Sequence, residues 1–205
     1  MSHLFIGLIA PSIILLPVGV ALYRYTGMPL TFRYIFYYLV ISGCINLVAI
    51  ILSYQRINNL PLLHLLTLFE LYFILSFFAA LFEKKIAAII NITCRCIVIL
   101  SLINSLWVQS IYTFNSYARG LAAITIIILS FFYFIQVPEP RKLPAEICVV
   151  AGLLLYYTGS FLLYLFSNYL KKGYAFSTIV WNVNAALAVI LYILIALGIS
   201  KYNRE

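Results

Sequence analysis

Residues 64–78, HLLTLFELYFILSFF, decide the fold class of this chain. They lie within an apolar run from residue 60 to residue 82. At about 1.5 Å per residue, a helix of this length crosses the hydrocarbon core of a bilayer, which is about 30 Å thick. A backbone in hydrocarbon must satisfy its own hydrogen bonds, so the run predicts a transmembrane α-helix. The same run carries two ionisable residues, His64 and Glu70, whose presence in lipid requires a physical explanation.

The composition indicates that lipid surrounds much of the chain. Of its 205 residues, 65% are hydrophobic and 9% are charged, and the mean hydropathy is +1.10. A soluble domain of this length cannot bury so much apolar surface. At roughly 20 residues per crossing there is room for about seven spans and no separate catalytic domain. The net charge of +8 is distributed over short basic runs, which is typical of loops that set membrane topology and not of a nucleic-acid-binding groove.

The breaks between apolar runs predict an all-α, polytopic membrane protein. We expect an up-and-down bundle of seven transmembrane helices that forms a single domain over residues 1–205. The predicted spans are residues 4–23, 34–54, 60–82, 86–108, 118–137, 144–166 and 174–200. Eight lysines and arginines flank the spans on one side and four on the other: Arg24, Arg33, Lys84, Lys85, Arg141, Lys142, Lys201 and Arg204, against Arg56, Arg119, Lys171 and Lys172. Because cytoplasmic loops carry the excess of positive charge, this predicts an external N-terminus and a cytoplasmic C-terminus.

Glu70 and Arg95 lie near the middle of the third and fourth predicted spans. Adjacent antiparallel spans bring the two charges to the same depth. An isolated charge there costs about 2.5–3.5 kcal/mol, so an ion pair between them is predicted. One interpretation is a structural pair that fixes the register of the helices. The others are a role in a ligand or ion site, and an arginine that extends back to the membrane surface.

Other polar residues occupy related depths in the predicted bundle. His64 and Thr67 share a broad face of the third span with Glu70, because His64 and Glu70 are about 120° apart around the helix axis and Thr67 lies between them. Amides and a phenol in other spans complete a set that would line an outward-facing pocket. The candidate ligand-binding residues are His64, Thr67, Glu70, Arg95, Asn46, Asn104, Asn182, Asn184 and Tyr156. Interhelical packing is the alternative for most of them, since such hydrogen bonds contribute about 0.6 kcal/mol each.

No motif for enzymatic chemistry accompanies these residues. The sequence has no HExxH, no GxSxG and no phosphate-binding glycine loop, so no catalytic residue, cofactor or metal site is predicted. Its two histidines are too few for the paired ligands of a membrane dihaem protein. The four cysteines lie in apolar runs, where free thiols behave as small hydrophobic groups.

Several stretches of the sequence resemble one group of membrane proteins. They are HLLTLFE (64–70), NSLWVQSIYTFNSYARG (104–120), YYTGSFLLYLFSN (156–168) and WNVNAALAVILYILIALGISK (181–201). Together they resemble small bacterial seven-helix integral membrane proteins, and they are similar to membrane sensing regions associated with some histidine kinases. The resemblance implies a location in the bacterial cytoplasmic, or inner, membrane.

The resemblance also carries over particular residues. They are His64, Thr67 and Glu70 on the third helix, Asn104, Asn115 and Arg119 around the fourth loop, and Trp181 at the start of the last helix. Where such proteins have a histidine three residues after the tryptophan, this chain has Asn184. That difference argues against a mechanism with two intramembrane histidines.

The leading functional hypothesis is a membrane sensor or receptor-like module. It would bind a small or lipidic ligand from the outer side and signal through a separate partner, such as a histidine kinase, with membrane lipid around it and no nucleic acid involved. Two alternatives remain open: a small proton-coupled transporter with His64 and Glu70 as the relay, and a structural subunit of a membrane complex. An intramembrane lipid enzyme with the same two residues as base and acid is the least supported.

Overall fold

The computed structural model describes residues 9–136, 145–167 and 175–202, and every regular element in these ranges is helical. The helices are α1 (Leu15–Arg24), α2 (Leu30–Tyr54), α3 (Leu60–Leu81), α4 (Lys84–Ile103), α5 (Ser116–Gln136), α6 (Glu146–Phe166) and α7 (Ala175–Lys201). A short turn, Ala10–Ser12, precedes α1, a 3-10 turn, Tyr25–Gly27, follows it, and a π-helical segment, Asn104–Val108, continues α4. Positions 4–8, 137, 144 and 174, at the ends of four predicted spans, lie outside the described residues, as do Arg141, Lys142, Lys171, Lys172 and Arg204.

Six helices are long and apolar enough to cross a membrane. They are Leu30–Tyr54, Leu60–Leu81, Lys84–Val108, Ser116–Gln136, Glu146–Phe166 and Ser177–Lys201, and they correspond to the second to seventh predicted spans. Helices of this length and composition are those of an integral membrane protein. The helical elements confirm the all-α prediction for the described residues. Of the first predicted span, the described part is divided into the turn Ala10–Ser12 and α1, and it contains Pro11 and Pro17. Proline has no N–H for the helical ladder, which explains the division. The seventh crossing stays a prediction.

The connection between α2 and α3 is a short loop with a defined helix end. Arg56 has a φ of +59°, the left-handed conformation that usually selects glycine. The Arg56 N–H donates to the Ser53 carbonyl at 3.1 Å and the Ile57 N–H donates to the Leu52 carbonyl at 2.9 Å. These two bonds form a Schellman motif, which satisfies the last carbonyls of α2. The side-chain amide of Asn59 then donates to the Ala49 carbonyl at 3.0 Å and ties the loop to α2.

The described helices form two compact units. The first contains residues 9–28, 123–163 and 175–202, and the second contains residues 29–122 and 164–167. Helices α5 and α6 contribute residues to both units. The assignment of residues 1–205 to a single domain stays a prediction.

In the first unit, α1 packs against α7, and a guanidinium nitrogen of Arg24 donates to the Tyr202 carbonyl. Helices α6 and α7 approach closely at Gly198, where an added Cβ would lie 2.9 Å from the Ala145 carbonyl oxygen and 2.8 Å from a methyl of Val149. A small residue at this point lets the two backbones come together, as is common between transmembrane helices.

In the second unit, α3 packs against both α2 and α4 and is the most buried of the six long helices. Its C-terminal half contributes a fully buried apolar set: Leu71, Ile74, Leu75, Phe77 and Phe78. Its N-terminal half contributes His64, Thr67 and Glu70, which are also buried. The central helix of this unit therefore has a polar half and an apolar half.

Candidate functional site: a buried polar cluster on α3

The predicted polar face of α3 points into the interior of the second unit. His64, Thr67 and Glu70 have relative exposures of 4%, 0% and 3%. The Thr67 hydroxyl donates to the Leu63 carbonyl, one turn earlier, at 2.8 Å. This local bond satisfies its donor within the helix. His64 and Glu70 make contacts with other segments of the chain, and these contacts define the site.

Glu70 forms an ion pair with Arg119, a residue in the first turn of α5. The Glu70 Oε2 and Arg119 Nη2 atoms are 3.5 Å apart, and the two side chains are 3% and 8% exposed. A buried charge requires compensation of this kind because it has lost its hydration.

An aromatic side chain covers the same guanidinium. The Cζ atom of Arg119 lies 4.4 Å from the ring centroid of Tyr164, and its Nη2 donates to the Tyr164 hydroxyl at 3.1 Å. The Phe114 ring is stacked on Tyr164, with its centroid 6.0 Å from the same Cζ. A planar guanidinium is suited to such a site, since it can pair with a carboxylate and stack on a ring together.

The predicted ion pair between Glu70 and Arg95 is wrong. Arg95 is exposed, whereas Glu70 is buried against Arg119. The buried residues of α4 and its π-helical extension are Ile90, Cys94, Ile97, Ser101 and Asn104, which alternate spacings of four and three residues. Arg95 follows Cys94 in this seam, so its side chain is rotated by about 100° away from α3. Arg95 lies near the middle of Lys84–Val108, but its side chain is directed away from α3 and not toward it.

His64 joins α3 to the end of α4 and to the loop that follows. Its Nδ1 atom lies 2.8 Å from the Ser105 hydroxyl, and its Nε2 atom lies 3.2 Å from the Thr113 carbonyl. Ser105 belongs to the π-helical segment, a type of distortion that often marks functional sites. The histidine that had no assigned partner at the level of sequence is thus held at both ring nitrogens.

The protons of this contact set can be counted. A carbonyl only accepts, so His64 Nε2 carries a proton. In the neutral ring Nδ1 is then an acceptor, and the Ser105 hydroxyl has one proton for two acceptors, Nδ1 and the Ser101 carbonyl at 2.9 Å. When both ring nitrogens carry protons, all three contacts are satisfied together. The hydrogen-bond pattern around His64 therefore depends on its protonation state.

A second set of contacts joins two amides, one of which, Asn104, precedes Ser105 in the chain. Asn104 Nδ2 donates to Asn115 Oδ1 at 3.0 Å and to Gln109 Oε1 at 3.4 Å. The Asn115 Nδ2 and Ser101 Oγ atoms are buried and have no hydrogen-bond partner among the described residues. An unsatisfied buried polar group costs about 1–3 kcal/mol, so both atoms favour a bound group that donates or accepts hydrogen bonds.

The last turn of α6 forms the boundary of the cluster. The hydroxyls of Ser116 and Ser167 are 3.0 Å apart, and Ser167 also donates to the Tyr164 carbonyl at 3.0 Å. We define the polar cluster as His64, Thr67, Glu70, Ser101, Asn104, Ser105, Asn115, Ser116, Arg119, Tyr164 and Ser167. Its members come from α3, the end of α4, the loop before α5, the start of α5 and the end of α6.

The remaining predicted site residues belong to other helices. Asn46 is half-buried on α2 and donates to the Ser42 hydroxyl at 3.4 Å. Asn182, Asn184 and Tyr156 belong to the first unit, where Asn184 Oδ1 accepts from the Ser160 hydroxyl at 2.6 Å. Hydrogen bonds of this kind are typical of helix packing, and a ligand-binding role for these residues stays a prediction.

Sequence reasoning from spans and depths missed part of the cluster. As candidate site residues, Asn115 and Arg119 entered only through the family resemblance, and Ser101, Ser105 and Tyr164 were not singled out. One signal was available: Ser101 and Asn104 continue the spacing of the buried residues Cys94 and Ile97, which identifies them as inward-facing. Nothing in the local sequence indicates that Tyr164 covers Arg119.

The chemistry of the cluster is that of polar recognition. Among the described residues, no three His, Cys, Asp or Glu side chains come together to hold a metal ion. The cluster offers a guanidinium, amide and hydroxyl groups and one imidazole, all suited to hydrogen bonding with a polar group. No family model, curated protein or solved structure matches this chain.

Proposed function

We propose that this protein is a seven-helix membrane sensor or receptor-like module. It binds a small or lipidic ligand through the polar cluster and passes the signal to a separate membrane protein. In this proposal the N-terminus is external, the C-terminus is cytoplasmic, and the cluster faces the outer side. The resemblance to sensing regions associated with histidine kinases favours a partner of that class in a bacterial inner membrane.

The observation that carries the proposal is the buried Glu70–Arg119 pair within a cluster that also holds unsatisfied polar atoms. The pair and the contacts of His64 connect α3, the loop 109–115 and α5. A ligand that competes for any of these groups changes the balance between two arrangements of the helices. A ligand signals only if it binds those arrangements with different affinity, and a network of discrete pairs supplies such arrangements.

The position of the cluster favours a sensor over a transporter. The polar side chains of α3 end at Glu70, and the buried residues that follow are apolar through Phe78 except for Ser76. Transport of protons across the second unit would require a polar path through this apolar half of α3. A site with polar groups at one end is suited to binding from one side.

The burial of Arg119 supports the proposed orientation. Arg119 was one of four basic residues assigned to the outer side, but it pairs with Glu70 inside the second unit. It therefore does not contribute to the charge of a loop. Without Arg119, eight lysines and arginines flank the spans on the proposed cytoplasmic side and three on the outer side. The excess of positive charge on the proposed cytoplasmic side is larger than the sequence count indicated.

The test measures whether the Glu70–Arg119 pair controls the position of the loop 109–115. Spin labels at Ile57 and Ser110, both exposed, report the separation of the α2–α3 loop from this loop in the full-length protein in phosphatidylcholine nanodiscs. The background carries alanine at the native cysteines, Cys44, Cys94, Cys96 and Cys148. We expect Glu70→Gln and Arg119→Gln to shift or broaden the distance distribution. Glu83→Gln, which changes an exposed glutamate, is the matched control and should leave it unchanged.

A second arm of the test adds candidate ligands. Oleate and monooleoylglycerol carry acceptor oxygens, and hexadecane is the apolar control. We expect at least one of the two polar lipids to shift the distance distribution in the protein with an intact Glu70–Arg119 pair. The same lipid should have no effect in Arg119→Gln. Identical distributions for the wild-type chain and both pair variants would refute the sensor proposal. If the variants shift the distribution but neither polar lipid does, the lipidic ligand is excluded and a small soluble ligand is left.

One contact favours a second candidate function, acyl transfer. The Ser105 hydroxyl lies 2.8 Å from His64 Nδ1, and the Thr113 carbonyl holds the opposite ring nitrogen. This is the arrangement in which an imidazole accepts the proton of a serine nucleophile. It ranks below the sensor because the hydroxyl is also 2.9 Å from the Ser101 carbonyl, which competes for the same proton. Labelling of Ser105 by a fluorophosphonate probe, lost in Ser105→Ala, would establish it, and absence of labelling would exclude it.

A further inference from the structure

The outward face of α4 carries an arginine in the middle of a predicted membrane span. Arg95 is exposed, and so is Asn91 one turn earlier on the same face. Only 22% of the 18-residue apolar stretch within Lys84–Val108 is buried, the smallest share among the six long helices. The face continues with exposed residues at alternating spacings of four and three: Ala88, Ile92, Arg95, Ile99 and Leu102. We call these five residues and Asn91 the Arg95 face.

Such a face is unfavourable against hydrocarbon. Arg95 lies 11 residues after Lys84 and 13 residues before Val108. At about 1.5 Å per residue, the Cα of Arg95 is more than 15 Å from either end of the span. An arginine side chain can reach the surface from near a helix end, but not from the centre without distortion of the bilayer. The position therefore indicates that another group normally covers Arg95.

The chemistry of the face identifies what covers it. A guanidinium in a medium of low dielectric constant is best satisfied by a carboxylate, with which it forms paired hydrogen bonds. Asn91 adds a group that can donate and accept, and the apolar residues at helical spacing provide a seam for a second helix. A transmembrane helix with an Asp or Glu at its middle satisfies both requirements.

A second copy of this chain does not supply that carboxylate from its described helices. Glu70 is buried and paired with Arg119, while Glu83 precedes α4 and Glu146 begins α6. Glu139 and Glu205 lie outside the described residues and outside the predicted spans. The described carboxylates are thus either enclosed or at helix ends, so charge complementarity favours a different protein.

We propose that the Arg95 face docks a transmembrane helix of another protein through a carboxylate at mid-depth. The proposal rests on the membrane-spanning part of the proposed function and specifies the chemistry of the signalling partner. Because α4 carries the Arg95 face on one side and Ser101, Asn104 and Ser105 on the inner side, rearrangement of the polar cluster would be transmitted directly to the docked helix.

The test uses synthetic transmembrane helices as probes. Alanine–leucine peptides with Glu, Gln or Leu at the central position, each with an acceptor dye, are added to the full-length protein with a donor dye at Ser110 in phosphatidylcholine vesicles. We expect the Glu peptide to bind about tenfold or more tightly than the Gln peptide. The preference should disappear in Arg95→Gln and persist, reduced, in Arg95→Lys, which keeps the charge but loses the planar fork. Arg56→Gln, a change in an exposed loop arginine, is the matched control.

Three results would overturn the proposal. The first is equal binding of the Glu and Gln peptides to the wild-type protein. The second is loss of the preference when a quarter of the lipid is phosphatidylglycerol, which would identify an anionic headgroup as the occupant. The third is self-association that depends on Arg95, measured by energy transfer between two labelled copies, which would identify a second copy.

Failure of this proposal is separable from failure of the sensor proposal. A bilayer depth probe at Arg95→Cys reports whether α4 spans the membrane, independently of docking. The spin-label distances report the polar cluster and should be unaffected by Arg95→Gln. A normal response to Glu70→Gln together with no peptide preference rejects the docking face alone. A peptide preference with no response to Glu70→Gln rejects the sensor mechanism and leaves the docking face supported.

Discussion

Removing the guanidinium of Arg119 leaves the carboxylate of Glu70 buried without its countercharge. At 3.5 Å, Coulomb's law with an effective dielectric constant of about 20 gives about 5 kcal/mol of attraction between the two groups. Desolvation of two buried charges offsets much of this gain, but a single substitution loses the attraction and keeps the desolvation cost of the other charge. We therefore expect Arg119→Gln to lower the free energy of unfolding by about 3–5 kcal/mol.

The double variant separates the ion pair from other contacts of these residues. Glu70→Gln/Arg119→Gln contains no buried charge at this site, so its loss should be smaller than that of Arg119→Gln alone. The interaction energy of the mutant cycle should be at least about 2 kcal/mol. Reversible unfolding in mixed micelles titrated with sodium dodecyl sulfate, followed by far-ultraviolet circular dichroism, provides the four free energies.

Arg95→Gln is the control within the same chain. It also neutralises an arginine in a long apolar helix, but Arg95 is exposed and outside the polar cluster. Because Arg95 faces outward and is not the partner of Glu70, Arg95→Gln should not lower the free energy of unfolding by more than about 0.5 kcal/mol. Additive losses in the double variant, or equal losses for Arg95→Gln and Arg119→Gln, would refute the assignment of Arg119 as the partner of Glu70.

Three further substitutions test the packing and polar contacts. Gly198→Ala places a Cβ 2.9 Å from the Ala145 carbonyl oxygen and should destabilise the protein by about 1–3 kcal/mol. Gly19→Ala, whose added Cβ would have nothing within 4 Å, should stabilise the protein by up to about 1 kcal/mol. Thermal unfolding checks this pair, since the two substitutions should change the midpoint temperature in opposite directions. Asn104→Ala removes the donor to Asn115 Oδ1, so that neither end of this buried amide has a described partner, and it should cost about 1–3 kcal/mol in the unfolding titration with sodium dodecyl sulfate. A smaller loss would contradict the amide pair. Ser160→Ala removes the 2.6 Å bond to Asn184 and should cost about 0.6 kcal/mol; a loss above about 2 kcal/mol would mean that this bond is more than helix packing.

The helices and their limits are largely readable from the sequence. The predicted spans 60–82 and 86–108 correspond to Leu60–Leu81 and Lys84–Val108, and the predicted span 34–54 lies within Leu30–Tyr54. A long apolar run between polar breaks is a local property, and in lipid the helix is the conformation that satisfies its backbone. The grouping of His64, Thr67 and Glu70 on one face is local too, since helix geometry determines it.

The partners of those residues were decided by tertiary structure. Depth along a helix follows from residue counting, but the direction of a side chain around the axis depends on how the helix is rotated against its neighbours. The buried seam of α4 includes Cys94 and excludes Arg95 by one position, which is enough to replace the predicted partner of Glu70. Arg119 takes that place because the chain from Gln109 to Asn115 returns to α3 and directs the first turn of α5 toward Glu70.

The sequence by itself determined an all-α membrane protein with a polar face on α3, because hydrophobicity and helical periodicity are properties of contiguous residues. Only the tertiary structure decided which charge neutralises Glu70, which groups hold His64 and which arginine is left on the outside. These outcomes depend on contacts between residues far apart in the chain, and they arise from the packing of α3, α4 and the start of α5 against one another.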